Sequence, residues 1–382
     1  MRRPARRTAA LCLLGAVTLG GACTAAPADP RAVPAPPGAP PSATTPPPPP
    51  SFTVVATGDV LIHPALTEQA ARDADGAGEE FDYRPLFQGI RPLISRADLA
   101  LCHLEVPLAE DGGPYSGYPQ FNAPPELAGA LADTGYDGCS TASNHVLDQG
   151  PDGVTRTLDA LDEAGLRHTG AARSEREATT PLLFDVDGTQ VGHLSYTFSF
   201  NGFTEPGGTP WLANELDPAA VVADAEAARA AGADVVIASL HWGQEYQHDP
   251  TEEQRRLARQ LLAEDSIDLL IGHHAHVVQP IERIDGEWVA YGLGNSVARH
   301  AEPRGVSEEG IAARFRFTRD GDRWVVETAE YVPTLVELGP PIRLVDLTSS
   351  AETDRRAEAL ERTDGIVLSR GGAEDGLTRP GR

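Results

Sequence analysis

Apolar, strand-like runs that end in metal-binding or proton-moving side chains recur along this chain, and they constrain its fold more than any other feature. Leu269-Leu270-Ile271 runs into Gly272-His273-His274-Ala275-His276, with three histidines in four positions. Val235-Val236-Ile237 leads to His241-Trp242-Gly243, Val54-Val55-Ala56 to Asp59, and Cys139-Ser140-Thr141 to Asn144-His145. Open α/β sheets collect ligands at the carboxyl ends of their strands. The pattern therefore describes an enzyme-type site on a layered α/β scaffold.

The rest of the core fits that scaffold. Strands are expected at 52–56, 97–101, 139–142, 191–197, 235–240, 267–271 and 288–293. Helices are expected at 86–95, 125–134, 154–164 and 219–231, the last two followed by Gly165 and Gly232 as stops. Thr251-Glu252-Glu253-Gln254 matches a capping box and opens an amphipathic helix to about 264. Segments 312–317 and 324–331 alternate around Arg319-Asp320-Gly321-Asp322 and predict a closing hairpin. Alternating βα units of this kind form a layered α/β domain.

The ends of the chain read differently. Residues 1–22 carry Arg2, Arg3, Arg6 and Arg7, then an apolar stretch and small residues, the pattern of a secretory signal. Leu19-Gly20-Gly21-Ala22-Cys23 places a cysteine where a bacterial lipoprotein would be cut, so membrane attachment by a lipid anchor at Cys23 is the expectation. The alternative is plain secretion after cleavage near Ala22 or Ala26. Residues 23–50 are dominated by Pro, Ala, Thr and Gly; this linker is expected to act as a polyproline II stalk, at ~3.1 Å per residue. The folded domain is expected over 51–346 and a polar, fraying tail over 347–382. Together these place the domain outside the cytoplasm.

A net charge of −25 argues against nucleic acid and anionic lipid surfaces as partners. All 31 basic residues are Arg, which removes Schiff-base and P-loop lysine chemistry. Cys102 and Cys139 each lie in an apolar run; buried free thiols are the expectation, with a disulfide the alternative outside the cytoplasm.

Divalent transition metals take imidazole nitrogen and carboxylate oxygen, and a bound water then becomes nucleophilic near neutral pH. The candidates are Asp59, Glu105, Asn144, His145, His241, His274 and His276. Singly, each has a plainer explanation: a core histidine, a turn aspartate after Gly58, a solvated loop acid. Together, at the ends of separate strands, they point to one site. His145 is followed by Asp148, a carboxylate suited to orienting an imidazole. His63 and His103 are either neighbours of this site or surface groups, and Gly292-Leu293-Gly294-Asn295 reads as a glycine turn beside it.

Thr57-Gly58-Asp59-Val60, Leu104-Glu105, 143–150 (SNHVLDQG), 241–246 (HWGQEY), 272–280 (GHHAHVVQP) and 291–295 (YGLGN), in this order, resemble the CapA family of bacterial capsule-synthesis proteins, associated with poly-γ-glutamate. That family is similar to calcineurin-like metallophosphoesterases, which implies a four-layer α/β/β/α sandwich and a centre of one or two divalent ions (Mn, Fe or Zn). The resemblance assigns Asp59 to one metal, Glu105 to the bridging place, Asn144 and His241 to the second metal, and His274 and His276 to the closing pair. It makes His145, oriented by Asp148, the acid. Two departures stand out. Position 61 is Leu where phosphoesterases carry His, and Glu105 stands where Asp is usual. The resemblance implies a surface protein of capsule or cell-envelope polymer synthesis. Its substrate would be an acidic polymer or a phosphoester, and a membrane synthase complex is a candidate partner. The rival is a non-catalytic polymer-binding or export subunit that keeps the fold.

Overall fold

The computed structural model describes residues 49–75, 78 and 80–381. The expected signal sequence, Cys23 and nearly all of the Pro-rich linker lie outside the described residues. Two sheets organise the chain. The first has the strand order β14-β13-β12-β1-β2-β3-β4, with β11 also paired to β1. Its members are β1 (Ser51–Leu61), β2 (Leu99–Leu104), β3 (Gly138–Ser140), β4 (Arg167–Thr169), β11 (Asn295–Ala298), β12 (Glu309–Asp320), β13 (Arg323–Glu337) and β14 (Arg343–Asp346). The second runs β5-β6-β7-β8-β10-β9, made of β5 (Leu182–Val186), β6 (Thr189–Thr197), β7 (Val235–His241), β8 (Leu269–His273), β9 (Ile281–Ile284) and β10 (Glu287–Ala290).

Side-chain alternation explains why the sheets stack. In β1, Val54 and Ala56 face the second sheet while Val55 faces the outer helices. In β7, Val235 and Ile237 join the same inter-sheet core, and Val236, Ala238 and Leu240 pack outward. Period-2 strands with both faces apolar are buried on both sides. Helices Glu126–Thr134 and Gly150–Glu163 cover the first sheet, and Pro218–Ala230 and Glu252–Leu262 cover the second. The result is the expected α/β/β/α order. Each fully buried Val, Leu or Ile contributes roughly 1.5–3 kcal/mol, so the three-layered apolar contact fixes the sheets against each other.

Local signals hold in detail. Thr251 accepts from the Gln254 amide, and the Gln254 side chain accepts from the Thr251 amide, the reciprocal capping box. The hairpin of β12 and β13 pairs Asp320 with Arg323 across the Gly321-Asp322 turn. Four expectations are corrected. The single helix over 86–95 is two short ones, Arg84–Phe87 and Arg91–Ile94, because Pro92 can start a helix but not continue one. The strand expected over 288–293 ends at Ala290, before Gly292 and Gly294. Cys102 and Cys139 are register partners on adjacent strands β2 and β3 and are joined as a disulfide rather than left as thiols.

The last correction concerns the C-terminus. Helix Asp354–Val367 is capped by Thr353, buries Ala359, Thr363 and Val367, and lies on the first sheet. Arg355 and Arg362 from this helix both reach the buried Glu309 carboxylate, at 2.6 and 2.7 Å. The stretch reads as polar, yet two of its arginines are spent on this buried carboxylate while Asp354, Glu358 and Glu361 face solvent. Among the described residues, no helix is long and apolar enough to cross a membrane.

Close backbone approach sets the geometry at the strand ends. A Cβ on Gly58 would sit 1.9 Å from the Gly294 carbonyl oxygen, which accepts from the Asp59 amide at 3.0 Å. Gly58→Ala therefore lowers unfolding free energy by at least ~2 kcal/mol, the range of backbone clashes. Gly129→Ala, on an exposed helix face with open space, raises it by about 0.5–1 kcal/mol. Urea unfolding of the two variants checks the pair.

Candidate functional site

Strands β1, β2 and β3 run parallel in one sheet, and β6, β7 and β8 run parallel in the other. Their carboxyl ends meet, and all eight residues singled out from the sequence gather there. Asp59 lies at a register shift in β1, which stays paired to β2 while its other edge passes from β12 to β11. Its Oδ1 accepts from His273 Nδ1 at 3.2 Å, and its Oδ2 accepts from the His274 amide at 3.1 Å. His276 Nδ1 stands 3.2 Å from the same Oδ2 and 2.9 Å from Asn295 Oδ1. His276 Nε2 in turn faces Glu105 at 3.6 Å.

A second row continues from the first. His241 Nε2 is 3.0 Å from Asn144 Oδ1, and its Nδ1 is 3.0 Å from His103 Nε2. Asn201 accepts from the Asn144 amide nitrogen at 3.3 Å, which turns the Asn144 oxygen toward His241. The His241 and His274 rings lie 4.8 Å apart. His145 sits at the edge, with Nδ1 donating to Asp148 Oδ2 at 2.7 Å; that oxygen also accepts from the Phe121 amide at 2.7 Å. The imidazole is thereby held in one orientation with Nε2 left toward the site.

The chain is bent to make this possible. His274 and His276 both adopt positive φ, 87° and 53°. Non-glycine residues adopt this conformation rarely and hold it only where the surroundings demand it. Here the demand comes from the Asp59 carboxylate, which takes the His274 amide and faces the His276 ring.

Electrostatics separates the groups. Burial pushes Asp59 up, but hydrogen bonds from His273 and His276 outweigh it and hold the carboxyl well below its usual range. Burial works against charge on His276, yet Glu105 and Asp59 overcome it and raise the imidazole. Glu105 is pushed well above the usual range by burial, against the pull of His276. Burial, then His276, drops His274 to about 3, and burial, then neighbouring histidines, drops His103 and His241. Neutral imidazoles are the form that binds metal.

The donor set fits a divalent cation. Both Glu105 carboxylate oxygens, His273 Nε2 and His274 Nδ1 are buried without a hydrogen-bond partner. A buried carboxylate with neither oxygen satisfied costs several kcal/mol, on the order of the penalty for an unpaired ion, unless a cation compensates. Among the described residues, three groups of ligand atoms lie within 4.8 Å of one another: Asp59, Glu105 and His276; Asp59, His103 and His273; Glu245, His274 and His276. Mixed imidazole and carboxylate ligands suit Mn, Fe or Zn.

Sequence reasoning did not assign His273, Asn295 or Glu245 to the site, and left His103 open. His103 is fully buried and stacks on His273 with ring centroids 4.0 Å apart. Asn295 comes from the glycine turn, and its carbonyl oxygen meets His276. His63, the other histidine left open, belongs to none of the three groups; its Nδ1 lies 3.1 Å from the Leu61 carbonyl. Leu61 itself is in the apolar core. Trp242 packs in the core, whereas Tyr246 borders the site.

The model of the family described as bacterial capsule synthesis protein PGA_cap matches residues 53–300. The chain belongs to this family. It is 30% identical over 225 residues to the PGA biosynthesis protein CapA of Bacillus subtilis, covering 56% of each chain. It is 27% identical over 221 residues to the capsule biosynthesis protein CapA of Bacillus anthracis, covering 56% of this chain and 53% of that one. A Mycobacterium tuberculosis protein described as "Probable polyglutamine synthesis accessory protein" is 29% identical over 286 residues, 64% of this chain and 74% of that one. The chain spans about half the length of the two Bacillus relatives. Among solved structures, a calcineurin-like phosphoesterase from Bacillus subtilis is 14% identical with a TM-score of 0.45, covering 82% of this chain and 96% of that one.

Glu105→Gln tests the cation-site reading. Gln mimics a neutral carboxyl, so without metal the variant's stability stays within about 1 kcal/mol of the parent. Added Mn²⁺ or Zn²⁺ raises the thermal midpoint of the parent, and of the variant much less, because only a bound ion stabilises by mass action. Differential scanning fluorimetry with and without chelator reads both.

Proposed function

We propose that this protein is an extracytoplasmic member of the family, lipid-anchored at Cys23, that acts in capsule or poly-γ-glutamate polymer synthesis through a metal-dependent hydrolase site. The observation that carries the reading is the Glu105 carboxylate, fully buried with neither oxygen hydrogen-bonded and, among the described residues, only the His276 ring, at 3.6 Å, as an ion-pair partner.

Asp59, Glu105 and His276 would hold one divalent ion, and Asn144, His241 and His274 border the place for a second. When bound, such an ion supplies Lewis-acid activation of water and of a phosphoryl or carbonyl oxygen. The chain's own residues do the rest. Asp148 orients the His145 ring and balances its charge while Nε2–H gives its proton to the departing oxygen or nitrogen. The buried imidazoles His103 and His273, stacked behind the site, keep water from its inner wall. The substrate is an acidic polymer or a phosphoester. The Pro-rich linker lifts the domain from the membrane, within reach of a polymer synthase complex.

A second reading is a polymer-binding or export subunit without turnover. Leu61 supports it, since this position contributes to the core and offers no metal ligand.

Turnover separates the two. Metal-loaded protein is expected to hydrolyse one member of a panel of phosphoesters and γ-glutamyl polymers, and His145→Ala to lose roughly 10²–10⁴-fold in kcat at unchanged metal content. Full metal loading without turnover on any of them supports the binding subunit instead.

A further inference from the structure

The loop that follows β11 brings an arginine to the mouth of this site. Arg304 places its guanidinium carbon 3.8 Å from the centroid of the Tyr246 ring. That ring is 6.1 Å from His276 and 6.0 Å from His300, and the Tyr246 amide donates to the Ala275 carbonyl at 2.7 Å. Tyr246 is thus bound to the turn that carries His274 and His276, and Arg304 lies over it.

Arg304 also hydrogen-bonds the Tyr246 side chain. Among the described residues its charge meets no acid, whereas Arg299 in the same loop turns its guanidinium onto the His300 and Ala301 carbonyls. The loop is also tethered. Arg355 of the C-terminal helix donates to the Gly305 carbonyl at 2.5 Å, and Asn295 Nδ2 donates to the Ser307 carbonyl at 2.8 Å. On another side of the mouth Phe198 is 43% exposed, with its ring 4.6 Å from His274.

A protein of net charge −25 repels anions at long range. A cation stacked on an aromatic face counters that repulsion locally. Stacking engages the face of the guanidinium, while oxyanions bind along its edge. We propose that Arg304 is a subsite for an oxyanion of the substrate, a carboxylate or phosphate group next to the one that reacts at the proposed metal site. Phe198 supplies an apolar wall for the carbon chain between them. The assignment rests on the acidic-substrate reading above and gives it a recognition residue.

Isothermal titration of the full chain with inorganic phosphate and with a γ-linked glutamate pentamer tests this, with and without chelator. Arg304→Gln is expected to raise Kd roughly five- to tenfold for one probe or both, with Arg304→Lys between. Dependence confined to the pentamer identifies a carboxylate site, and dependence confined to phosphate a phosphate site. Arg316→Gln, on the exposed face of β12, controls for net charge and should change Kd by less than about 1.5-fold. Metal content should match the parent in all three variants. Binding of both probes by Arg304→Gln within about 1.5-fold of the parent overturns the assignment, as does failure of the parent to bind either. Arg304-dependent binding in a protein that hydrolyses nothing leaves the subsite standing and removes the hydrolase reading alone.

Discussion

One carboxylate ties the two sheets together. Asp59 belongs to β1, yet its oxygens are taken by His273 at the end of β8 and by the amide and ring that follow it. Packing holds the sheets face to face through apolar side chains, which specify no register along the strands. The buried Asp59 contact does specify it, because an unpaired carboxylate at that depth is costly. It also imposes the positive φ of His274 and His276, and so aims two imidazoles at Glu105 and Asn144's surroundings. The site and the stacking of the sheets are one constraint seen from two sides.

Behind that contact the inter-sheet core becomes polar. His103 bonds Ser140 at 2.8 Å and reaches His241, while His193 meets Ser239 at 2.9 Å. A fully apolar core would be simpler to fold. The polar seam orients the imidazoles that face the site, and orientation by an outer layer of hydrogen bonds is what metal-binding histidines require. The C-terminal helix extends the same logic outward: Arg355 and Arg362 neutralise Glu309, and Arg355 also tethers the loop that carries Arg304.

Much of this was legible in the sequence because the physics is local. Apolar runs of alternating burial gave β1, β7 and β8, and Thr251 with Gln254 announced its helix. Asp59, Glu105, Asn144, His145, His241, His274 and His276 stood out because each directly follows such a run. What escaped depends on distant partners. The polar helix Asp354–Val367 looked unable to fold because Glu309, its charge partner, lies about 50 positions earlier. Asn295 looked like part of a turn because its partners, His276 and the Ser307 carbonyl, are brought to it only by the fold. His103 was ambiguous because burial of a single imidazole leaves no periodic trace, and the pairing of Cys102 with Cys139 followed from strand adjacency, which spacing alone does not fix.

The most direct test of the account is anomalous diffraction from crystals of the protein soaked in Mn²⁺ or Zn²⁺. The account predicts an anomalous peak within bonding distance of Glu105, Asp59 and His276, with a carboxylate oxygen of Glu105 turned onto it. Strong diffraction with no peak there, and Glu105 instead paired to His276 alone, would contradict it.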